Sequence, residues 1–302
     1  MSRPAAKPVS GSMPADIAAK LRAIGPVIDP PATAAIYAPL HPREPYAGVK
    51  VSRDVKYGGD ERQALDVFTP ENASSPRPVF IFVHGGGYTG GHKREGDNFF
   101  YDNIMLWAAS NGMVGVNATY RLAPAHAWPA GAEDVGAAVR WTIANIAKFG
   151  GDPTRIFLAG HSAGGTHVAS YAAMPQFHSP DGAGLAGLIL ISGNYDLSNV
   201  PADERYASYF GSDQSKYAER SPAAGLLKTD LPLMAAYGEL EPPFLYRQSE
   251  ELLAALKHAD RPVHAIRLPN HSHISITYSI NSGDTELSDA MLEFINANIQ
   301  LK

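Results

Sequence analysis

From residue 79 onward, short and largely apolar runs alternate with longer stretches whose apolar positions recur every three to four residues. The runs at 79–83, 113–119, 155–159, 185–192, 233–237 and 263–268 are rich in Val, Ile, Leu, Phe and Ala. Most lack the polar alternation of a half-exposed strand, which predicts strands buried on both faces. The stretches at 97–111, 131–148, 162–174, 246–258 and 284–299 carry helical spacing. Such alternation predicts an α/β fold: a mostly parallel central sheet with helices on both faces. Upstream, 51–57 and 64–69 alternate as a strand pair, with Gly58-Gly59-Asp60 as the turn between them. A helix is predicted over 13–24, with Pro14 and Asp16 suited to its first turn. Residues 25–48 are Pro-rich and aperiodic and read as an extended segment wrapping the domain, and 1–12 read as mobile. The stretch 199–228 breaks the alternation and holds Tyr206, Tyr209, Phe210 and Tyr217. It is expected to form a small lid or an ordinary helical crossover.

Chemistry enters at residues 160–164, Gly160-His161-Ser162-Ala163-Gly164, between an apolar run and a helix of small residues. A serine on a tight strand-to-helix turn projects its hydroxyl off the sheet edge, and only glycine is tolerated two positions to either side. This nucleophile-elbow pattern names a reaction, attack of Ser162 on a carbonyl carbon. The plainer alternative is a serine that caps the helix.

His84-Gly85-Gly86-Gly87 directly follows the run 79–83. Acyl transfer builds negative charge on the carbonyl oxygen, which preorganised backbone N–H donors meet best. Gly86 and Gly87, with Ala163 just after the serine, are the candidate oxyanion hole. No Gly-Lys-Ser/Thr follows and the spacing is not a dinucleotide fingerprint, which disfavours phosphate binding. Tyr88, next after the glycines, is expected to face the acyl or alcohol group, ahead of Trp128 and Phe244.

Together with Tyr120-Arg121-Leu122-Ala123-Pro124, Glu133-Asp134, Phe149-Gly150-Gly151-Asp152-Pro153 and the continuation of the elbow into Gly165, these motifs resemble the hormone-sensitive-lipase-like carboxylesterases of the α/β-hydrolase superfamily. The resemblance runs from about residue 51 to the C-terminus and departs at His161, where the family often has Asp. It implies an α/β-hydrolase catalytic domain over 49–302 and an N-terminal extension and cap segment over 1–48, with 199–228 as a small lid. It also implies that Glu133-Asp134 helps hold the His-Gly-Gly-Gly region, so that Asp134 is structural.

The serine needs a base, and the base an acidic partner, in the chain order Ser, Asp or Glu, His. The run 233–237 leads into Gly238-Glu239-Leu240-Glu241-Pro242-Pro243, where two carboxylates compete. The run 263–268 leads into Pro269-Asn270-His271-Ser272-His273-Ile274-Ser275, where two histidines compete. The resemblance maps the acid onto Glu241 and the base onto His273; Glu239 and His271 stay open as alternatives. A His-x-His pair also suits a metal, but no third ligand with sensible spacing and no cysteine accompany it. His84 is expected to order the oxyanion loop and His161 to be held by the elbow, with His92, His126, His167 and His178 on the surface or on helices.

The 302 residues, 45% of them apolar, suffice for one α/β domain with a modest cap. A formal net charge of -5 disfavours nucleic-acid binding. The absence of cysteine excludes a disulfide framework and a thiol nucleophile. No run reaches membrane-spanning length, and the first residues lack the apolar region of a secretory signal, so a cytoplasmic location is the default expectation. The reading is a serine carboxylesterase acting on short- to medium-chain esters through an acyl-enzyme. Its partner is a small-molecule ester; no metal or organic cofactor is expected, and a homo-oligomer is left open. The same machinery would suit an aryl formamide or an acetylated sugar. A binding module that has lost catalysis usually lacks the serine or the histidine, whereas this chain has a candidate for every role.

Overall fold

A computed structural model of the chain describes residues 11–71, 76–94 and 99–299. Two helices, α1 (Ala15–Ile24) and α2 (Pro30–Tyr37), precede the strands β1 (Val49–Lys56), β2 (Ala64–Pro70) and β3 (Arg77–Val83). Then come α3 (Asp102–Ser110), β4 (Val114–Ala118), α4 (Ala130–Asn145), β5 (Gly151–His161), α5 (Ala163–Ala173) and β6 (Gly187–Ile191). Three short helices follow, α6 (Glu204–Phe210), α7 (Tyr217–Arg220) and α8 (Ala223–Leu226). The chain ends with β7 (Leu233–Leu240), α9 (Pro243–His258), β8 (His264–Ser272), α10 (Ser275–Tyr278) and α11 (Glu286–Ile299).

The strands form one sheet in the order β1-β2-β4-β3-β5-β6-β7-β8. The β1/β2 and β2/β4 pairs are antiparallel and the remainder parallel. The expected α/β architecture is therefore present, with both antiparallel pairings at one edge. Unbroken apolar strands serve two cores at once. In β3, Val79, Ile81 and Val83 pack on one face, against Val135 and Val139 of α4 and Val168 of α5. Phe80 and Phe82 point to the opposite face, against Ile104 of α3 and Met291 and Phe294 of α11. Period-two geometry thus turns a run without visible period into two packed surfaces, each buried side chain contributing about 1.5–3 kcal/mol.

Two further apolar clusters cover the carboxyl ends of the strands, where open α/β sheets bind ligands. Ile17, Leu21 and Tyr37 of the N-terminal helices pack with Phe100, Ile274 and Tyr278. Tyr206, Tyr209, Phe210 and Tyr217 pack with Tyr88 and Leu197.

Several local expectations are corrected. Residues 25–48 are not wholly extended: Pro30 and Pro31 open α2, with the Asp29 side chain accepting from Ala32 N. Proline breaks a helix interior but suits the first turn, whose N–H groups have no intrahelical acceptor. The helix expected over 97–111 begins at Asp102; residues 97 and 98 lie outside the described residues, as does most of the stretch read as mobile. Strands β7 and β8 run past the apolar residues that announced them, to Leu240 and Ser272. His167 lies on a helix as expected, but it is buried.

Candidate active site

The elbow is fixed by backbone contacts. Ser162 adopts φ 56°, ψ -123°, and its N–H donates to Ile191 O of β6 at 2.9 Å. That φ costs a non-glycine residue about 1–3 kcal/mol, which only a surrounding structure that over-determines the turn can hold. The surroundings do so: a Cβ on Gly160 would collide with Gly164 O, and one on Gly164 with the carbonyl oxygens of Val83 and His84. Helix α5 can therefore meet the ends of β3 and β5 only where both positions lack side chains.

The glycine loop after β3 lies against this turn. A Cβ on Gly85 would sit 3.0 Å from Ser162 Cβ. Gly86 and Gly87 have φ 138° and 60°, a left-handed path for which glycine is suited. Among the described residues, no acceptor takes the N–H groups of Gly86, Gly87 or Ala163. The loop is braced from behind. Tyr120 OH donates to His84 O at 3.0 Å and the two rings stack at 4.5 Å. Asp134 accepts from Arg121 N at 2.7 Å and from Gln63 Nε2 at 2.7 Å. Asp134 thus reaches the glycine loop through the Tyr120-Arg121 segment rather than directly. Burial pushes the His84 imidazole down to about 3, so it is neutral and donates from Nδ1 to Gly85 O.

On the other side, the ends of β7 and β8 bring Glu241 and His273 together, both buried, with Oε2 2.7 Å from Nδ1. Glu241 Oε1 accepts from Ser192 Oγ at 2.5 Å. Glu239 lies elsewhere, half-exposed, paired with Arg267 and accepting from Asn270 N at 2.9 Å. His271 is fully buried beside Asp284, with Nε2 and Oδ2 2.9 Å apart but off the hydrogen-bond line, a close polar contact. With Glu286 these form the one group of metal-ligand types within reach of a single ion among the described residues. His273 is not part of that group, so the His-x-His pair contributes one ligand type to it and not two.

His161 is a contact that sequence reasoning missed. Its Nε2 donates to His273 O at 2.8 Å, and the two rings lie 4.6 Å apart. Burial, and secondarily the neighbouring His273, push its imidazole well below the usual range, so it is a neutral donor. The departure from Asp at this position was the available signal: the side chain before the nucleophile crosses to the loop that carries the histidine.

Ser162, His273, Gly85, Gly86, Gly87 and Ala163 line one cavity of about 300 Å³. Tyr88 lines it too, although its hydroxyl is turned into a buried network with Thr166 and Asn194, and burial holds that phenol up at about 12. Phe244 borders the cavity; Trp128 instead packs against Tyr209 and Phe210.

The family described as BD-FAE matches residues 65–256, from β2 into α9 and through both the glycine loop and the elbow. The chain belongs to that family. Esterase LipC of Mycobacterium tuberculosis is 36% identical over 162 residues, covering 51% of this chain and 39% of LipC. Esterase LipQ of the same organism is 32% identical over 242 residues, covering 73% of this chain and 56% of LipQ. The chain thus spans between two-fifths and just over half of these relatives. Esterase B of Lactobacillus rhamnosus superposes with a TM-score of 0.73 at 21% identity, covering 95% of this chain and 96% of that one. The α/β-hydrolase fold and the kinship with carboxylesterases expected from the motifs are both borne out. No helix among the described residues of this BD-FAE chain is long and apolar enough to cross a membrane.

Proposed function

We propose that this chain is a serine carboxylesterase that hydrolyses short- to medium-chain carboxylic esters through an acyl-enzyme. The observation that carries the reading is the buried Glu241–His273 pair, 2.7 Å apart, whose histidine lines the cavity that also receives Ser162 and the glycine loop. A carboxylate on Nδ1 holds the proton there and leaves Nε2 as the basic nitrogen. His273 takes the Ser162 proton as Oγ attacks the ester carbonyl carbon. The N–H groups of Gly86, Gly87 and Ala163 receive the developing oxyanion, and His273 returns the proton to the leaving alcohol. Water then enters, loses a proton to His273 and attacks the acyl-enzyme, releasing the acid and restoring Ser162 Oγ–H.

Glu241 orients the imidazole and stabilises imidazolium, and Ser192 holds the carboxylate in turn. Tyr88 acts as an apolar wall, since its hydroxyl is occupied. The N-terminal segment through residue 48 and the segment 199–228 act as cap pieces; Ile28 and Pro30 from the first and Tyr206 from the second border the cavity. A volume of about 300 Å³ is at the low end for small-molecule sites and favours compact acyl groups.

The test is a panel of p-nitrophenyl esters of graded acyl length, an aryl formamide and an acetylated sugar, assayed with the wild type and Ser162→Ala. Turnover should be greatest for short to medium acyl esters and fall by at least about a thousandfold in Ser162→Ala, the fold being retained. Ester turnover undiminished in Ser162→Ala would sink the mechanism. A clear preference for the formamide or the sugar would reassign the substrate while keeping the machinery.

A further inference from the structure

The polar side chains of the tyrosine-rich wall of the cavity are taken up by one another. Tyr88 OH meets Thr166 Oγ1 at 3.1 Å and accepts from Asn194 Nδ2 at 2.9 Å, and Tyr206 OH donates to Asn194 Oδ1 at 3.2 Å. Ile28, Pro30, Phe244, Leu245 and Ile274 contribute apolar surface. Arg205, on α6, stands apart. It is the only arginine or lysine among the described lining residues. Its Nε and Nη2 edge is held by Asp203 at 3.0 and 2.6 Å, and the same carboxylate caps α6 by accepting from Arg205 N. Nη1 lies on the other side of the guanidinium, packed over Gly87, where an added Cβ would be 3.2 Å from it. No hydrogen-bond acceptor among the described residues takes it.

From this we infer that Arg205 is a specificity residue that binds an anionic oxygen of the substrate, so that the preferred esters carry a carboxylate beyond the scissile group. The inference rests on the esterase reading of the same cavity. Asp203 compensates part of the charge, but it also fixes a planar fork that would otherwise lose rotamer freedom on binding. The hydrogen bond to Asp203 keeps Arg205 charged by holding its acidity below that of a free guanidinium. A carboxylate accepted at Nη1 makes a charge-assisted bond, whereas a purely alkyl ester leaves that donor to water. Apolar surface on the other walls accommodates the stem between the two carbonyl groups.

The experiment compares kcat/KM for matched anionic and neutral esters in the wild type, Arg205→Met and Arg205→Lys. The acyl-side pair is the p-nitrophenyl monoester of adipic acid and p-nitrophenyl hexanoate. The alcohol-side pair is 4-acetoxybenzoate and 4-acetoxybenzamide. In one pair the anionic-to-neutral ratio should fall about tenfold or more in Arg205→Met, mostly through KM, and recover in part in Arg205→Lys. Because the readout is a ratio within each variant, a change in folded fraction cancels. Ratios that agree within about twofold across the three proteins for both pairs would overturn the assignment. Loss of the esterase reading looks different: the wild type itself would then turn over neither neutral ester.

Discussion

The two halves of the candidate site are built by different means. On the β3/β5 side, main chain meets main chain: Gly160, Gly164 and Gly85 stand where a Cβ would strike a neighbouring backbone or Ser162 itself. On the β7/β8 side, side chains choose partners: Glu241 finds His273 and Ser192, while Glu239, two residues earlier, finds Arg267 and the Asn270 N–H. The first half is sterically encoded, so its residue types are nearly forced. The second is encoded by where two parallel strands end, so either of two equivalent-looking residues can fill a role until the strand ends are known.

The sharpest way to break this comparison is at the histidines. His273→Ala should cost at least about ten-thousandfold in kcat, because members of a triad act as a unit. His271→Ala should leave the kcat of folded protein largely intact but lower its thermal midpoint, since it strips the buried Asp284 of its partner. Steady-state kinetics together with thermal melts separate the two, and the reverse pattern would exchange their roles. The carboxylates come next. Glu241→Gln keeps the shape but loses the charge that supports imidazolium, with an expected loss of about a hundred- to ten-thousandfold in kcat. Glu239→Gln removes only a half-exposed ion pair, worth at most about 1 kcal/mol of stability. Equal kinetic losses for the two variants would refute the division.

What was legible in the sequence follows the same line. The sheet could be read because buried parallel strands announce themselves as apolar runs. The elbow and glycine loop could be read because only glycine fits the contacts described. The pairing at the other edge could not be derived locally. Strands β7 and β8 continue through Glu239-Leu240 and through Pro269 to Ser272, mostly polar stretches, one opened by a proline, that no hydrophobic period would extend into a strand. The resemblance to a family, not the residues themselves, singled out Glu241 and His273. The role of His161 in reaching His273 O was hidden for a similar reason, since 112 residues separate the partners. Helix α2 was hidden by its own prolines.

A substitution on the sterically encoded side should behave in the opposite way from those at the edge. Gly164→Ala drives a methyl group into the carbonyl oxygens of Val83 and His84, an overpacking expected to cost about 1–3 kcal/mol. Stability and kcat should fall together, because the elbow cannot shift without moving Ser162 and the N–H of Ala163. Urea melts and ester assays on one preparation check this. A variant that lost activity at full stability would show that the elbow side, too, tolerates local change.

The last effect, read in stability alone, distinguishes the histidines of the two sides by their neighbours. His271 and His273 each face a carboxylate. Among the described residues, no carboxylate faces His84 or His167, near the elbow, and burial pushes both imidazoles down to about 3. His167 packs its ring edge-to-face near Tyr120 and Tyr209, with neither nitrogen hydrogen-bonded among the described residues. In the unfolded chain these rings protonate near pH 6.5, whereas the folded state binds no proton there until the pH approaches 3. The unfolded state therefore holds more protons throughout that window, and stability falls as pH is lowered through 6.5. Each ring should account for a loss of about 2 kcal/mol between pH 7.5 and pH 5. His167→Phe should remove one such share of the slope. The slope is the better readout than any single midpoint, because the larger ring presses on Gly131, which already lies against the imidazole. Chemical melts at the two pH values make the measurement, and an unchanged slope in His167→Phe would mean that the imidazole protonates within the folded elbow.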